Sequence, residues 1–165
     1  MKHHPYFRQL LHGAERVAYG GRSLNEGGIQ SVPKLVFPGG ALIGCAAGFV
    51  NVPKIKGTHN AMKSGMLAAE AAFQAISDLP EDSISEEGQY MGPPLEIAPY
   101  ETSLKSSWVW KELNEVRNVR PSFNTALGIF GGAIWSGIDT LILRGRVPWT
   151  FHHKASDAQS TKHSR

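Results

Sequence analysis

The chain has 165 residues, of which 41% are hydrophobic and 19% charged, and its net charge is +3. That length and balance suit one ordinary domain with a real core and exclude a disordered composition. The charge is too mild to argue for nucleic acid. A lone cysteine, Cys45, excludes an internal disulfide, a thiolate metal site or a cysteine-held cluster within the chain.

Residues 1–11 are aromatic and His-containing, with no apolar signal-peptide core and no Arg- and Ser-rich presequence, so the chain reads as though cut from inside something larger. His3, His4 and His12 have no carboxylate or cysteine at ligand spacing, and no metal site is expected. The stretch 16–20 predicts a short strand ending in a glycine turn, 25–28 a turn, 29–32 and 35–37 further strands, 38–40 a turn, and 41–43 the strand feeding the most informative part of the chain. Short strands leading into one helix suit the closing part of an α/β nucleotide-binding domain. No G-x-G-x-x-G follows a strand near the N-terminus, so a pyrophosphate-binding turn is not in view.

Residues 42–70 read as strand end, glycine turn, loop and helix. Gly44 and Gly48 bracket a turn where backbone can approach a ligand. Pro53 keeps the following loop out of a strand ladder. Gly57 and Thr58 open a helix, with Thr58 as the expected N-cap. Ala61, Gly65, Ala68 and Ala72 form a small-residue stripe, and Met62, Met66, Ala69, Phe73 and Ile76 supply bulkier packing around it. The unpaired N–H groups and partial positive charge of that helix N-terminus, with Lys54 and Lys56 upstream, suit an anionic group. The spacing alone equally fits an ordinary capped strand-loop-helix unit.

The stretch 78–99 is an acidic, proline-rich linker or surface loop, with Pro80, Pro93, Pro94 and Pro99 as helix breakers. Residues 100–119 predict one helix ended by Pro121, with Leu104 and Trp108 along one side, Val109, Leu113 and Val116 beside it, and Lys111–Glu115 as an opposite-charge pair four apart. Trp108 and Trp110 fit packing, with aromatic contact to a cofactor as the sharper option. The stretch 123–143 is the most apolar part of the chain and close to the ~20 residues that span a bilayer. It also holds Asn124, Asp139 and four glycines, and a charge at mid-depth is costly. Basic flanks (Arg117 and Arg120 before; Arg144, Arg146, His152, His153 and Lys154 after) and Trp135 and Trp149 favour a segment that dips into one leaflet. A buried core segment and a true span are the alternatives. The polar tail, 155–165, is expected to be disordered.

The run Gly44-x-Ala46-Ala47-Gly48-Phe49-x-Asn51, then Gly57-Thr58-His59-x-Ala61-Met62-x-Ser64-Gly65-x-x-Ala68-Ala69-Glu70, resembles the second flavin-binding motif of the large FAD oxidoreductases, a group that includes aromatic hydroxylases and geranylgeranyl reductases. Cys45 stands where the wider group has an acidic residue toward the ribityl chain. KHHP at 2–5, RVAYG at 16–20, LNEGG at 24–28, the run 38–70, SSWVWKELNEVRNVRPS at 106–122 and LRGRVPW at 143–149 narrow the resemblance to the electron transfer flavoprotein–ubiquinone oxidoreductase family, over nearly all the chain except the acidic loop and the tail.

That resemblance implies an α/β (α+β fragment) fold: the closing part of an FAD-binding oxidoreductase domain (1–77), the linker (78–99), a helix (100–120), an apolar membrane-contact segment (121–150) and the tail (151–165). It implies an enzyme that takes electrons from reduced electron transfer flavoprotein through a [4Fe–4S] cluster and FAD to ubiquinone, on the matrix face of the mitochondrial inner membrane, as a monotopic protein. Gly44, Ala47, Gly48, Asn51, Gly57 and Thr58 would meet the flavin. Gly128, Ile129, Phe130, Ile134, Trp135, Ile138, Leu141 and Trp149 would meet lipid. The four cluster cysteines and the first FAD fingerprint are absent from these 165 residues, so the expectation is an incomplete piece that neither holds FAD tightly nor turns over alone. A non-catalytic membrane-associated fragment, or another FAD-dependent reductase of the geranylgeranyl type, are the alternatives.

Overall fold

A computed structural model describes residues 3–125 and 128–153; the predicted tail, Lys2 and Lys154 lie outside them. After a short helix α1 (Pro5–Leu10), residues 14–24 carry no regular element and lie on the surface, so the strand expected at 16–20 does not form. Its side chains have nothing to pack on: Val17 and Tyr19 are almost fully exposed. The strand expected at 29–32 is instead a 3-10 turn, Ile29–Ser31, and half-buried Val32 leaves it in extended conformation.

Val36 and Phe37 (β1) pair antiparallel with Ala41 and Gly40 (β2) across a turn at Pro38 and Gly39, where Gly39 takes a φ of +82° that favours glycine. β2 ends at Ala41; Leu42 adds one more rung by donating to the Leu35 carbonyl, and Ile43 already belongs to the approach to the glycine turn. The described chain is therefore about half helical with this one hairpin, an α+β arrangement.

Helix α2 (Thr58–Ser77) organises the core. Its buried stripe is Asn60, Ser64, Leu67 and Ala71, at spacings of four, three and four. The two polar members sit where α2 meets the glycine turn and satisfy its backbone. Ser64 Oγ accepts from the Gly44 N–H at 3.0 Å, and Asn60 Nδ2 donates to the Phe49 carbonyl at 2.9 Å. The small-residue stripe lies at the margin of this face, half-buried. It matters at one point: a Cβ on Gly44 would lie 3.4 Å from that of Ala61. The bulkier residues expected to pack around it do not. Met62, Met66, Phe73 and Ile76 are more than half exposed, because the core lies against the neighbouring face.

The acidic stretch after α2 forms a 3-10 turn, Glu81–Ser83, and a single bridge between Ile84 and Tyr90, then rejoins the hairpin where the Leu95 carbonyl accepts from Gly39. Pro99 opens a helix rather than breaking one: it occupies the first turn of α3 (Ala98–Ser106), where its missing N–H costs nothing. The single helix expected over 100–119 is two. Ser107 is extended (φ −79°, ψ 164°), ending α3 and starting α4 (Trp108–Glu115). The break lets Tyr100 and Leu104 from one helix and Val109 and Leu113 from the next all point into the same core with Leu35, Phe49 and Leu67. Pro121 does not end that helix; α4 stops at Glu115, and Pro121 sits inside the short α5 (Val119–Ser122). The Lys111–Glu115 pair is not formed among the described residues, while Glu112, one residue on from Lys111, pairs with Lys54 and bonds His59.

Helix α6 (Gly128–Ile138) continues into a π-turn, Asp139–Leu143, ended by Arg144 in the left-handed region at φ +50°. Gly132 lets α6 close on α5: a Cβ there would fall within 2.9 Å of Phe123. The following segment is strapped back across the α4–α5 junction. Arg117 donates to the carbonyls of Gly145 (2.7 Å) and Val147 (2.6 Å) and to the Thr150 hydroxyl (3.0 Å); Asn118 exchanges bonds with Trp149 and Phe151.

Candidate functional site

The glycine turn is a 3-10 turn, Gly44–Ala47, with Gly44 at φ +67° and Gly48 at φ +100°, so both glycines are required by the backbone they adopt. Gly57 is needed for a different reason. It is the N-cap of α2, and a Cβ on it would meet Cys45 Sγ at 2.5 Å, so its bareness lets the helix start lie against the turn. Thr58 is not the cap; it is the first helical residue, exposed, and no side chain caps this N-terminus. The first-turn N–H groups of α2 therefore have no acceptor from a capping side chain and remain a field for an anionic or strongly polar ligand edge.

Of the six residues expected here, the structure gathers Gly44, Gly57 and Thr58 around the junction of turn and helix, while Gly48, at the far end of the turn, is buried against Asn25 and Val32. Ala47 and Asn51 face inward with no exposure. Ala47 is part of the apolar core, and Asn51 organises the 51–56 loop: its N–H and C=O pair with Lys56, its Oδ1 accepts from the Lys54 N–H, and its Nδ2 donates to Glu112 Oε1 at 2.6 Å.

Glu112 was not visible as a site residue in the sequence. From α4 it reaches across to collect three donors from the loop that precedes α2 and from its first turn: Asn51 Nδ2, Lys54 Nζ at 3.2 Å and His59 Nε2 at 3.1 Å. Partial burial pushes its carboxyl up, but the bonds from His59, Asn51 and Lys54 together with the Lys54 charge outweigh this, and its pKa is held below the usual carboxylate range. No local pattern pairs residue 112 with residues 51–59; only the polar pair Asn60 and Ser64 on a helix rich in small residues hinted that α2 holds backbone on its inner face.

The second candidate region is α6. Ile129, Phe130, Ile134, Leu141 and Ile142 are all more than two-thirds exposed, with Ile138 and Trp149 partly so. Gly128 and Trp135 are half-buried, and Trp135 packs against Trp149 and Phe151. A mainly apolar groove of about 400 Å³ runs between Ile134, Trp135, Ile138, Ser122 and Phe151. No helix among the described residues is long and apolar enough to cross a membrane. Asp139, which made a span costly, is fully buried at the end of α6. Neither of its carboxylate oxygens has a hydrogen-bond partner; burial raises its pKa, opposed by the charge of Arg117 and the nearby Gly145 amide. No group of metal-ligating side chains is present among the described residues.

No family profile matches the chain. Individual relatives do. It is 57% identical over 161 residues to the rat mitochondrial electron transfer flavoprotein–ubiquinone oxidoreductase, covering 98% of this chain and 25% of that protein. It is 56% identical to the human protein of the same name, with the same coverage. It is also 56% identical over 156 residues to a probable one from Saccharomyces cerevisiae, covering 91% of this chain and 25% of the relative. The chain thus spans about a quarter of the length of the curated relatives it matches. Over that quarter it is homologous to the electron transfer flavoprotein–ubiquinone oxidoreductases.

Proposed function

We propose that this chain forms the flavin-ring side and the membrane side of an enzyme that passes electrons from reduced electron transfer flavoprotein to ubiquinone, at the matrix face of the mitochondrial inner membrane. The observation that carries this reading is the identity of more than half its residues, across 98% of its length, with relatives bearing that name.

The flavin part of the proposal rests on the junction of turn and helix. FAD, when bound, would supply the redox chemistry. Gly44 and Gly57 would let backbone approach it, and the uncapped first turn of α2 with Thr58 would face the edge of the ring that carries negative charge on reduction. An open helix N-terminus with no acceptor of its own fits that edge. Ala47, Gly48 and Asn51 would act behind it, as core, as the end of the turn and as loop anchor. A [4Fe–4S] cluster does not fit the residues present, since Cys45 is the sole cysteine. Its ligands and the pyrophosphate site would belong to the other three quarters of the relatives' length.

The membrane part rests on the exposed face of α6. Ile129, Phe130, Ile134, Ile138 and Leu141, with Gly128, Trp135 and Trp149 at the rim, would enter one leaflet without crossing it. The flavin role would fall within 1–77 and the membrane role within 121–150, with the acidic stretch 78–99 and helices α3 and α4 between them.

The test is titration of FAD into the purified chain, followed by flavin absorbance and gel filtration. We expect a saturable shift in the flavin bands with little co-eluting flavin, because only the ring side of the site is supplied. A chain that is folded by circular dichroism and leaves the flavin spectrum unchanged at every concentration would overturn the flavin reading.

A further inference from the structure

We propose that the cavity between the 51–56 loop and the end of α6 binds the phosphate headgroup of an anionic phospholipid. This deepens the membrane reading above and rests on it. The cavity is about 490 Å³, within the range of small-ligand sites, and its walls come from three separated parts of the chain. Lys54 comes from the 51–56 loop, Thr140, Arg144 and Arg146 from the end of α6 and the turn after it, and Glu112 and Glu115 from α4; the Thr140 hydroxyl is spent on the Ser136 carbonyl. Glu112 is already engaged by Lys54 and His59. Neither arginine has an ion-pair partner among the described residues, so two arginines without a carboxylate partner line a polar cavity. Guanidinium forks match phosphate oxygens bidentately.

The rim points to lipid rather than to a soluble phosphate. On the α6 side, Thr140 and Arg144 flank Leu141 and Ile142, both more than 70% exposed. On the loop side, Ile55 is 90% exposed and held at φ +51°, a conformation unfavourable for a β-branched residue. Packing does not account for it, since Ile55 contributes nothing to the core. An apolar tip between Lys54 and Lys56 is what an interfacial loop presents to a bilayer, with the side chain entering and the cations staying at headgroup level. The lipid-facing surface thus extends beyond α6 to a second element, and the cavity between them is where a headgroup phosphate would seat.

The experiment is co-sedimentation of the full chain with vesicles of phosphatidylcholine alone and of phosphatidylcholine with a phosphatidylglycerol fraction, at low salt. We expect stronger capture by the second kind. That increment should fall several-fold in Lys54→Gln and in Arg144→Gln/Arg146→Gln, with capture by neutral vesicles unchanged. Arg16→Gln/Arg22→Gln, which removes the same charge from an exposed stretch elsewhere, should keep the increment. Should the double arginine variant fail to fold by circular dichroism, Lys54→Gln carries the test. An increment that survives in Lys54→Gln, or that falls equally in the Arg16/Arg22 variant, overturns the cavity while leaving membrane contact standing. So does glycerol phosphate saturating the site without displacing vesicles. A folded chain captured by neither vesicle overturns the membrane reading and this one with it.

Discussion

His59 lies face to face on Trp108, with ring centroids 5.7 Å apart and planes within 4° of parallel, while its Nε2 is 3.1 Å from Glu112 Oε2. Trp108 and Glu112 stand one turn apart on α4, and His59 is the second residue of α2. The two helices are therefore joined at the end of α2 that would meet a ligand. The join uses a stacked pair and a carboxylate rather than an apolar contact.

Glu112 should be the side chain whose loss most loosens that end. Glu112→Ala strips three donors of one shared acceptor, which we expect to cost about 1–3 kcal/mol, read as a lower midpoint in denaturant. The pH dependence follows from its depressed pKa. A carboxyl whose folded pKa lies below its unfolded value contributes stability in full above the unfolded pKa and loses it as pH falls through the folded one. Thermal midpoints should therefore drop on acidification below about pH 4.3, and the drop should be shallower in Glu112→Gln. An unchanged slope in that variant would remove Glu112 as the cause.

Gly57→Ala should destabilise through contact with Cys45 rather than through backbone strain. Its φ of −134° is open to any residue, but the new Cβ would lie 2.5 Å from Cys45 Sγ. Overpacking of this kind costs about 1–3 kcal/mol. Removing the sulfur in Cys45→Ala/Gly57→Ala should recover most of it, and a double-mutant cycle on unfolding free energies measures the coupling. Additive effects would show that the helix start tolerates a side chain by moving.

Asp139 behaves oppositely to Glu112. Its pKa is raised, chiefly by burial, so the folded state favours the protonated acid. The site then contributes most below the unfolded pKa and loses that contribution as pH rises through the folded one. Asp139→Asn keeps the shape and removes the ionisation. We expect it to raise the melting temperature at pH 7 and to lose that advantage near pH 3. A variant less stable at pH 7 would mean that the attraction to Arg117 outweighs burial.

Arg117→Ala should free the strap. Its guanidinium holds the Gly145 and Val147 carbonyls and the Thr150 hydroxyl, bonds that a point charge cannot replace as a planar fork does. Limited proteolysis should cut within residues 144–151 several-fold faster in the variant, with Arg117→Lys intermediate. Equal cutting in all three proteins would place the hold elsewhere, for example on Asn118.

The tight turn at Gly44 and Gly48, the long helix after Gly57, the hairpin at Pro38 and Gly39 and the family itself were legible in the residues. Each depends on local chemistry: positive φ at glycine, helical periodicity, and a run of specific residues. Which face of α2 is buried was not legible. The small stripe and the Met62–Ile76 stripe both have helical spacing, and only the position of the turn and of α3 puts Asn60 and Ser64 inside and the bulky residues outside. The break at Ser107 escaped the sequence because the residues on either side continue to favour helix; packing four core side chains from 100–113 into one core produced it. Glu112 could not be seen at all. Its partners lie more than fifty residues away, and long-range pairing of a carboxylate with Asn51, Lys54 and His59 leaves no periodic mark in the chain. The sequence by itself determined the local turns, the helix-forming segments and the kinship. The tertiary structure decided which polar groups meet, because that depends on how helices cross rather than on what any one of them contains.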